Sequence, residues 1–399
     1  MEGLLLRTIL LRVQVSAKDC VMVLLFAVFI LLFVSLAQAA DDGPWAHGGD
    51  LRTGLFVTER KARNGEVERD SQGQARLRAW LQRELADDWR FRARLAGRAS
   101  TAGNDFGLKF DRYRASPTGT NVGEMHFDEF YLGHGAPGAD HQWRLGRFQT
   151  AITLPVVPGK SLDRNDSSNV GIGWTDGFHW QARIGSAWKT HLIGQVNHRL
   201  GAGNTVRSPL DFSVDGSRLG GYIALEATEH PGPLVMRVLS VNWVPNALAV
   251  EGAGSDRRQD YVTAAMKTAA AWPLGDDGTR LLVAAELGQA LNRPGPEVLS
   301  LPGKDRVSGD AWQVSANLMD LLPGHHLGAV YGRAGGGWLT SNDYRNNDEL
   351  LEIRYQRRFT PALSVEVRYR WRRELERRLG ADGLQVDEDV YARVTWRMR

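Results

Sequence analysis

The chain has a single cysteine in 399 residues, Cys20, and none after it. That excludes a disulfide framework and a cysteine-rich metal centre, so an exported form has to be held by backbone pairing and packing. Charge of one sign is also scarce. The formal net charge of +3 falls to +2 once the first 40 residues, with Arg7, Arg12 and Lys18 against Glu2 and Asp19, are set aside. Basicity this mild, spread along the chain, offers no stripe for nucleic acid. Length alone suggests roughly two or three soluble domains, yet no break in composition divides the chain. The nucleophile turn G-x-S-x-G is missing too, which removes the commonest serine-hydrolase signature.

The first distinct feature present is the uncharged run "VMVLLFAVFILLFV" (21–34), preceded by Arg7, Arg12 and Lys18 and followed by "SLAQAADDG". The run is shorter than the ~20 residues a spanning helix needs. Ala37-Gln38-Ala39 has the small-x-small form of a signal-peptidase site, so residues 1–40 read as a cleaved secretory signal and 41–399 as one domain.

From Leu51 onward the pattern has period two. In "DDWRFRARLAGRAS", Trp89, Phe91, Ala93 and Leu95 alternate with Arg90, Arg92 and Arg94, and Arg98 keeps the same register. Successive strand side chains point to opposite faces, so this is a β-strand with an apolar face and an arginine face. About sixteen such segments follow one another, and their connections alternate between tight turns and long polar loops, beginning with the loop "ERKARNGEVERDSQG". An even strand count with this loop asymmetry predicts an all-β, transmembrane antiparallel β-barrel with short periplasmic turns and long external loops. Trp89, Trp143, Trp188, Trp243, Trp272 and Trp371 fall near strand ends, where an interfacial girdle belongs.

An arginine near the bilayer midplane on the lipid face costs roughly 2–4 kcal/mol, so the charged faces have to line the interior. The predicted pore-lining set is Arg76, Arg78, Arg90, Arg92, Arg94, Arg98, Arg183, Arg354, Arg368, Arg370, Arg393 and Arg397. Guanidinium stays protonated, and such a wall favours anions, although Glu84, Glu226, Glu286, Glu352 and Glu366 are available to pair with it. The longest connection, 150–177, starts with Ile152, Leu154, Pro155, Val156, Val157 and Pro158 before turning polar. A connection that stayed in water would not need that apolar start. The expectation is a third external loop, about 151–176, folded into the barrel with Lys160, Asp163, Arg164 and Asp166 near a constriction.

"FDEFYLG" followed by "WRLGRFQ" resembles the aspartate-glutamate-x-tyrosine-leucine and glycine-arginine-phenylalanine hairpin of Gram-negative porins, nearest to the phosphate-selective and related families. The resemblance implies a water-filled, usually trimeric pore in outer-membrane lipid, passing small hydrophilic solutes without a cofactor. It adds Asp128, Glu129, Tyr131 and Arg147 as lumen or constriction candidates. Porins commonly end in an aromatic residue read by the barrel-assembly machinery, whereas this chain ends "VTWRMR". Two other functions fit parts of the pattern: a substrate-specific channel or exporter for an anionic solute or polymer, and a barrel hydrolase built on His179, His191 and His198. Without a presented nucleophile the hydrolase is the weaker, and the chain reads as a non-enzyme. "GHGAPG" joins two strands and opens no helix, "LDRNDSSN" lacks the bidentate glutamate of a calcium loop, and His325-His326 has no evident third metal ligand.

Overall fold

The computed structural model describes residues 45–100, 115–116, 119–120, 125–136, 139–150, 152–163, 175–196, 209–210, 219–249, 257–275, 278–303, 306–341 and 343–398. The expected leader, 1–40, lies outside the described residues, as do Arg164, Asp166 and His198. Sixteen antiparallel strands close into one barrel. They are β1 (Trp45–Lys61), β2 (Val67–Glu84), β3 (Trp89–Ser100), β4 (Met125–His134), β5 (His141–Phe148), β6 (Thr175–Ile184), β7 (Trp188–Val196) and β8 (Leu219–Ala227). The second half comprises β9 (Leu234–Ala249), β10 (Arg258–Pro273), β11 (Arg280–Ala290), β12 (Asp310–Met319), β13 (His325–Ala334), β14 (Asp348–Arg358), β15 (Leu363–Glu374) and β16 (Val386–Met398). Each strand pairs with its chain neighbours, and β16 closes on β1 from Gly49 opposite Met398 to Lys61 opposite Val386. Closure leaves no strand edge unpaired.

The two-residue period becomes a two-sided wall. On β9, Leu239, Val241 and Trp243 are exposed while Val238, Ser240 and Asn242 are buried. The exposed set forms an apolar outer surface that continues through Phe130, Leu192, Ile223 and Val314. Trp89 packs edge-on to Trp143 at 4.6 Å near the short-turn rim. That rim is built from tight turns. At the β2–β3 turn Asp87 and Asp88 take φ values of 58° and 62°, the left-handed pair of a type I′ hairpin, which Asp tolerates.

The first external connection differs from expectation. The polar segment 59–73 is not a loop: β1 runs to Lys61, β2 starts at Val67, and the turn between them uses Gly65 at φ 85°. Arg69 pairs with Glu59 at 2.8 Å and Arg60 with Glu68 at 3.6 Å across the two strands. Pairing continues because backbone hydrogen bonds and cross-strand charges are still satisfied beyond the bilayer, and 17 or 18 residues of strand outreach the ~9–11 that a membrane needs.

The largest apolar cluster lies inside the barrel against β9–β14, and a smaller one, with Phe148, Ile152, Ile193 and Tyr222, lies against β4–β9. Leu162, Leu248, Tyr261, Val330, Trp338, Leu339, Tyr344 and Leu350 form one buried cluster. Several of these belong to connections, so segments entering from the long-loop rim fill this side of the interior.

Candidate channel lumen

The opposite side of the interior is polar. The inner faces of β14–β16 and β1–β4 carry, at mid-wall, Arg52, Arg76, Arg78, Arg92, Arg94, Arg98, Arg354, Arg368, Arg370, Arg372 and Arg393. Against these eleven guanidiniums stand eight carboxylates: Asp50, Asp128, Glu129, Asp348, Glu352, Glu366, Asp387 and Asp389. Most of the pairs are short. Arg76 meets Asp50 at 2.8 Å, Arg78 meets Asp128 at 3.0 Å, and Arg92 meets Glu129 at 2.6 Å. Arg94 reaches Asp128 at 2.8 Å and Glu129 at 3.2 Å. On the C-terminal strands Arg370 bonds Asp389 at 2.5 Å and Arg393 bonds Glu366 at 2.9 Å, while Glu352 lies against Arg354. Arg368 and Arg393 flank the ring of Tyr391 at 4.0 and 5.1 Å.

Simple alternation would send Asp128 and Glu129 to opposite faces. A β-bulge opposite Arg94 and Leu95 puts both carboxylates inside and leaves Phe127 and Phe130 exposed. A bulge inserts one residue and so resets the facing of all that follows, which also turns Tyr131 inward.

Residues 152–163 cross the interior to β9–β14. The Val157 N–H donates to Asn317 Oδ1 at 2.9 Å, and Lys267 Nζ donates to the Ile152 carbonyl at 2.6 Å. Lys160 pairs with Asp343 and Glu352, each at 3.1 Å. Burial pushes its ammonium below the ordinary lysine pKa, against the pull of those two carboxylates. Asp163 accepts from Ser240 at 3.1 Å and Asn242 at 3.0 Å, and lies 3.8 Å from Lys267. Trp338 Nε1 donates to the Leu162 carbonyl and Ser341 Oγ to the Ser161 carbonyl, so a second inserted segment clasps the first. Lys160 and Asp163 are both 1% exposed: their charges fasten the segment and do not face open lumen.

Arg147 departs from the reading that the hairpin resemblance suggests. It alternates with the fully buried Phe148 and shares the outer surface with Leu145, Phe127, Phe130 and Val196. There it pairs with Asp176 at 2.8 Å. Arg183 and Arg397 stand exposed at the short-turn ends of β6 and β16, at the rim and not in the lumen, because alternation fixes only the side and not the depth. Arg90 bonds the Gly135 carbonyl at 2.9 Å, near that same rim.

Sequence reasoning missed Asp50, because the first strand was expected to begin at Leu51; it also missed Arg52, although that residue lies within the expected strand, and Arg372, although it continues the Arg368–Arg370 alternation. It also missed Lys267, alone among alanines in "AAMKTAAAW", and nothing local marks that residue as an anchor. His179 and His191 do meet, Nε2 to Nδ1 at 3.2 Å, and His191 Nε2 lies 3.0 Å from Glu226, which Lys189 also pairs with. Glu286 takes Gln313 Nε2 at 2.5 Å and the Leu162 N–H at 3.0 Å. Among the described residues no group of three His, Cys, Asp or Glu side chains is placed to hold a metal.

No family model matches the chain, and no curated protein matches it. Solved structures do. OprB of Pseudomonas putida superposes with a TM-score of 0.58 at 10% identity, over 89% of this chain and 94% of that one. OpdL of Pseudomonas aeruginosa gives 0.50 at 12% identity, over 88% and 99%. OccK8 (OprE) of the same organism gives 0.50 at 12%, over 88% and 98%. The fold is that of Gram-negative outer-membrane porins.

Proposed function

We propose that this protein is a passive outer-membrane channel for small hydrophilic solutes, with a preference for anions. The observation that carries the reading is the division of the interior. Inserted segments occupy the β9–β14 side, and the wall facing them carries eleven arginines against eight carboxylates. A passage between the two is bordered by fixed positive charge, which raises the local anion concentration and repels cations. Residues 152–163 are the constriction in this reading, with Arg76, Arg78, Arg92, Arg94, Arg368 and Arg393 as the selecting wall. Residues 1–40 are the cleaved leader, and the barrel-assembly machinery inserts the chain as a homotrimer. The role needs no cofactor and no bond-making step.

The test is the reversal potential of the purified protein in a planar bilayer under a potassium chloride gradient. Anion selectivity is the expected result. Cation selectivity overturns the arginine argument while leaving the barrel intact.

A further inference from the structure

On the outside of the barrel, the wall of β12–β15 changes character at one level. Along β13 the outward side chains run from Tyr331 to Arg333, along β14 from Leu351 to Glu349, and along β15 from Trp371 to Arg373. Register places the three changes side by side: Trp312 of β12 stands opposite Arg333, Arg333 opposite Glu349, and Glu349 opposite Arg373. β13 and β15 run toward the long-loop rim, and β12 and β14 return from it. This is therefore the external edge of the apolar band, the level at which lipid headgroups begin. Exposed Val314, Tyr331 and Ile353 carry the apolar wall on below it.

Both arginines at this edge are exposed, and each rests on a tryptophan. The Arg333 guanidinium lies over Trp312 at 5.5 Å and that of Arg373 over Trp371 at 5.4 Å, while Tyr331 braces Trp312 edge-on with ring centroids 5.5 Å apart. Glu349, between the two arginines, accepts from Arg373 Nε at 2.8 Å and from the Tyr331 hydroxyl at 2.7 Å. Its two oxygens are thereby engaged, and Arg333 makes no ion pair among the described residues. One strand separates β13 from β15, which sets the two arginine backbones about 10 Å apart. Glu388 of β16, in register with Trp371, bounds the patch on that side. Further round the wall the pairing is of another kind: Trp243 on β9 donates to the Asp260 carboxylate at 2.8 Å.

We propose that this patch docks a phosphorylated glycolipid of the external leaflet, with its phosphates on Arg333 and Arg373 and its acyl chains on the apolar wall below. Guanidinium forks match phosphate oxygens, and charge-assisted N–H···O bonds are the strong ones. Resting on tryptophan, the forks are already positioned, so less side-chain freedom is lost on binding. Two cations about 10 Å apart suit a headgroup that carries more than one phosphate. The depth is right as well, because the charges sit one residue pair above the apolar wall and a lipid phosphate sits just beyond its chains. The inference needs the barrel's place in the outer membrane and is independent of what the lumen conducts.

The experiment titrates the purified, detergent-solubilised protein with diphosphoryl lipid A and reads the bound fraction by native mass spectrometry, with monophosphoryl lipid A and phosphatidylglycerol as further arms. Wild type, Arg333→Gln, Arg373→Gln and Arg357→Gln are compared; Arg357 lies over Phe359 at 4.2 Å on the opposite, short-turn rim and serves as the control. The expected result is saturable binding of diphosphoryl lipid A to wild type and Arg357→Gln, with the half-saturating concentration raised about tenfold in Arg333→Gln, as loss of one charge-assisted contact implies. Arg373→Gln should lose more, because it also frees Glu349 to pair with Arg333. Monophosphoryl lipid A and phosphatidylglycerol should bind wild type more weakly. Diphosphoryl lipid A should also raise the unfolding temperature of wild type more than that of Arg333→Gln. No saturable binding to wild type, or equal binding to all four proteins, overturns the site. Phosphatidylglycerol bound as tightly as diphosphoryl lipid A overturns the assignment to the glycolipid, and equal binding of the two lipid A forms overturns the two-phosphate fit.

Discussion

Lys160 offers the sharpest test of how the inserted segment is held. Its ammonium is wholly buried and touches Asp343 and Glu352, both at 3.1 Å. Replacing it with Met keeps most of the stem and removes the charge. Breaking a buried pair by deleting one partner costs about 3–5 kcal/mol when the other charge is left uncompensated. Here Glu352 keeps Arg354 and, at 3.8 Å, Arg368, so the lower end of about 3 kcal/mol is the appropriate value. The barrel itself keeps its ladders, so this loss falls on the equilibrium between docked and released segment. At 1.4 kcal/mol per factor of ten, the docked-to-released ratio drops about a hundredfold. Single-channel recordings of Lys160→Met should therefore show larger or fluctuating conductance beside the steady wild-type level. The double variant with Asp163→Asn, which weakens the contacts to Ser240, Asn242 and Lys267, should exceed the single one. Conductance and noise identical to wild type in the double variant would refute the reasoning, because the segment would then be held by its apolar contacts alone.

Three further outcomes follow from the same geometry. Deleting residues 159–168 should raise conductance, and an unchanged value removes the segment from the conduction path. Leu239→Arg, on the outer face of β9 where Leu239 is half exposed, should cost about 2–4 kcal/mol of stability in lipid, measured by denaturant titration in vesicles. Equal stability would mean that this face does not meet lipid. Gly146→Val should block folding, since Gly146 has φ 123° and a Cβ there would lie 2.5 Å from the Phe130 carbonyl; loss of the heat-modifiable band on a gel reads this out, whereas Gly194→Val, with no positive φ and nothing within 4 Å, should retain the band.

The local pattern of residues was enough for the wall and not for its contents. Period-two alternation along β3, β15 and β16 specifies which side chains share a face, and an even run of hairpins with short and long connections specifies a barrel, because both are properties of neighbours in the chain. The inner position of Arg76, Arg78, Arg368 and Arg393 follows from that alternation alone. Depth along the strand does not, which is why Arg183 and Arg397 fall at the rim. The bulge that turns both Asp128 and Glu129 inward, and the outward Arg147, depend on how β3 pairs with β4 and how β5 faces its neighbours. Partners distant in sequence were decided only by closure. Lys160 finds Glu352, Asp163 finds Lys267, and Gly54 is set opposite Arg393, because a sheet that curls on itself brings its first and last strands together and encloses whatever enters it. Local sequence encodes the face a side chain takes; the closed barrel decides which charges must then live together.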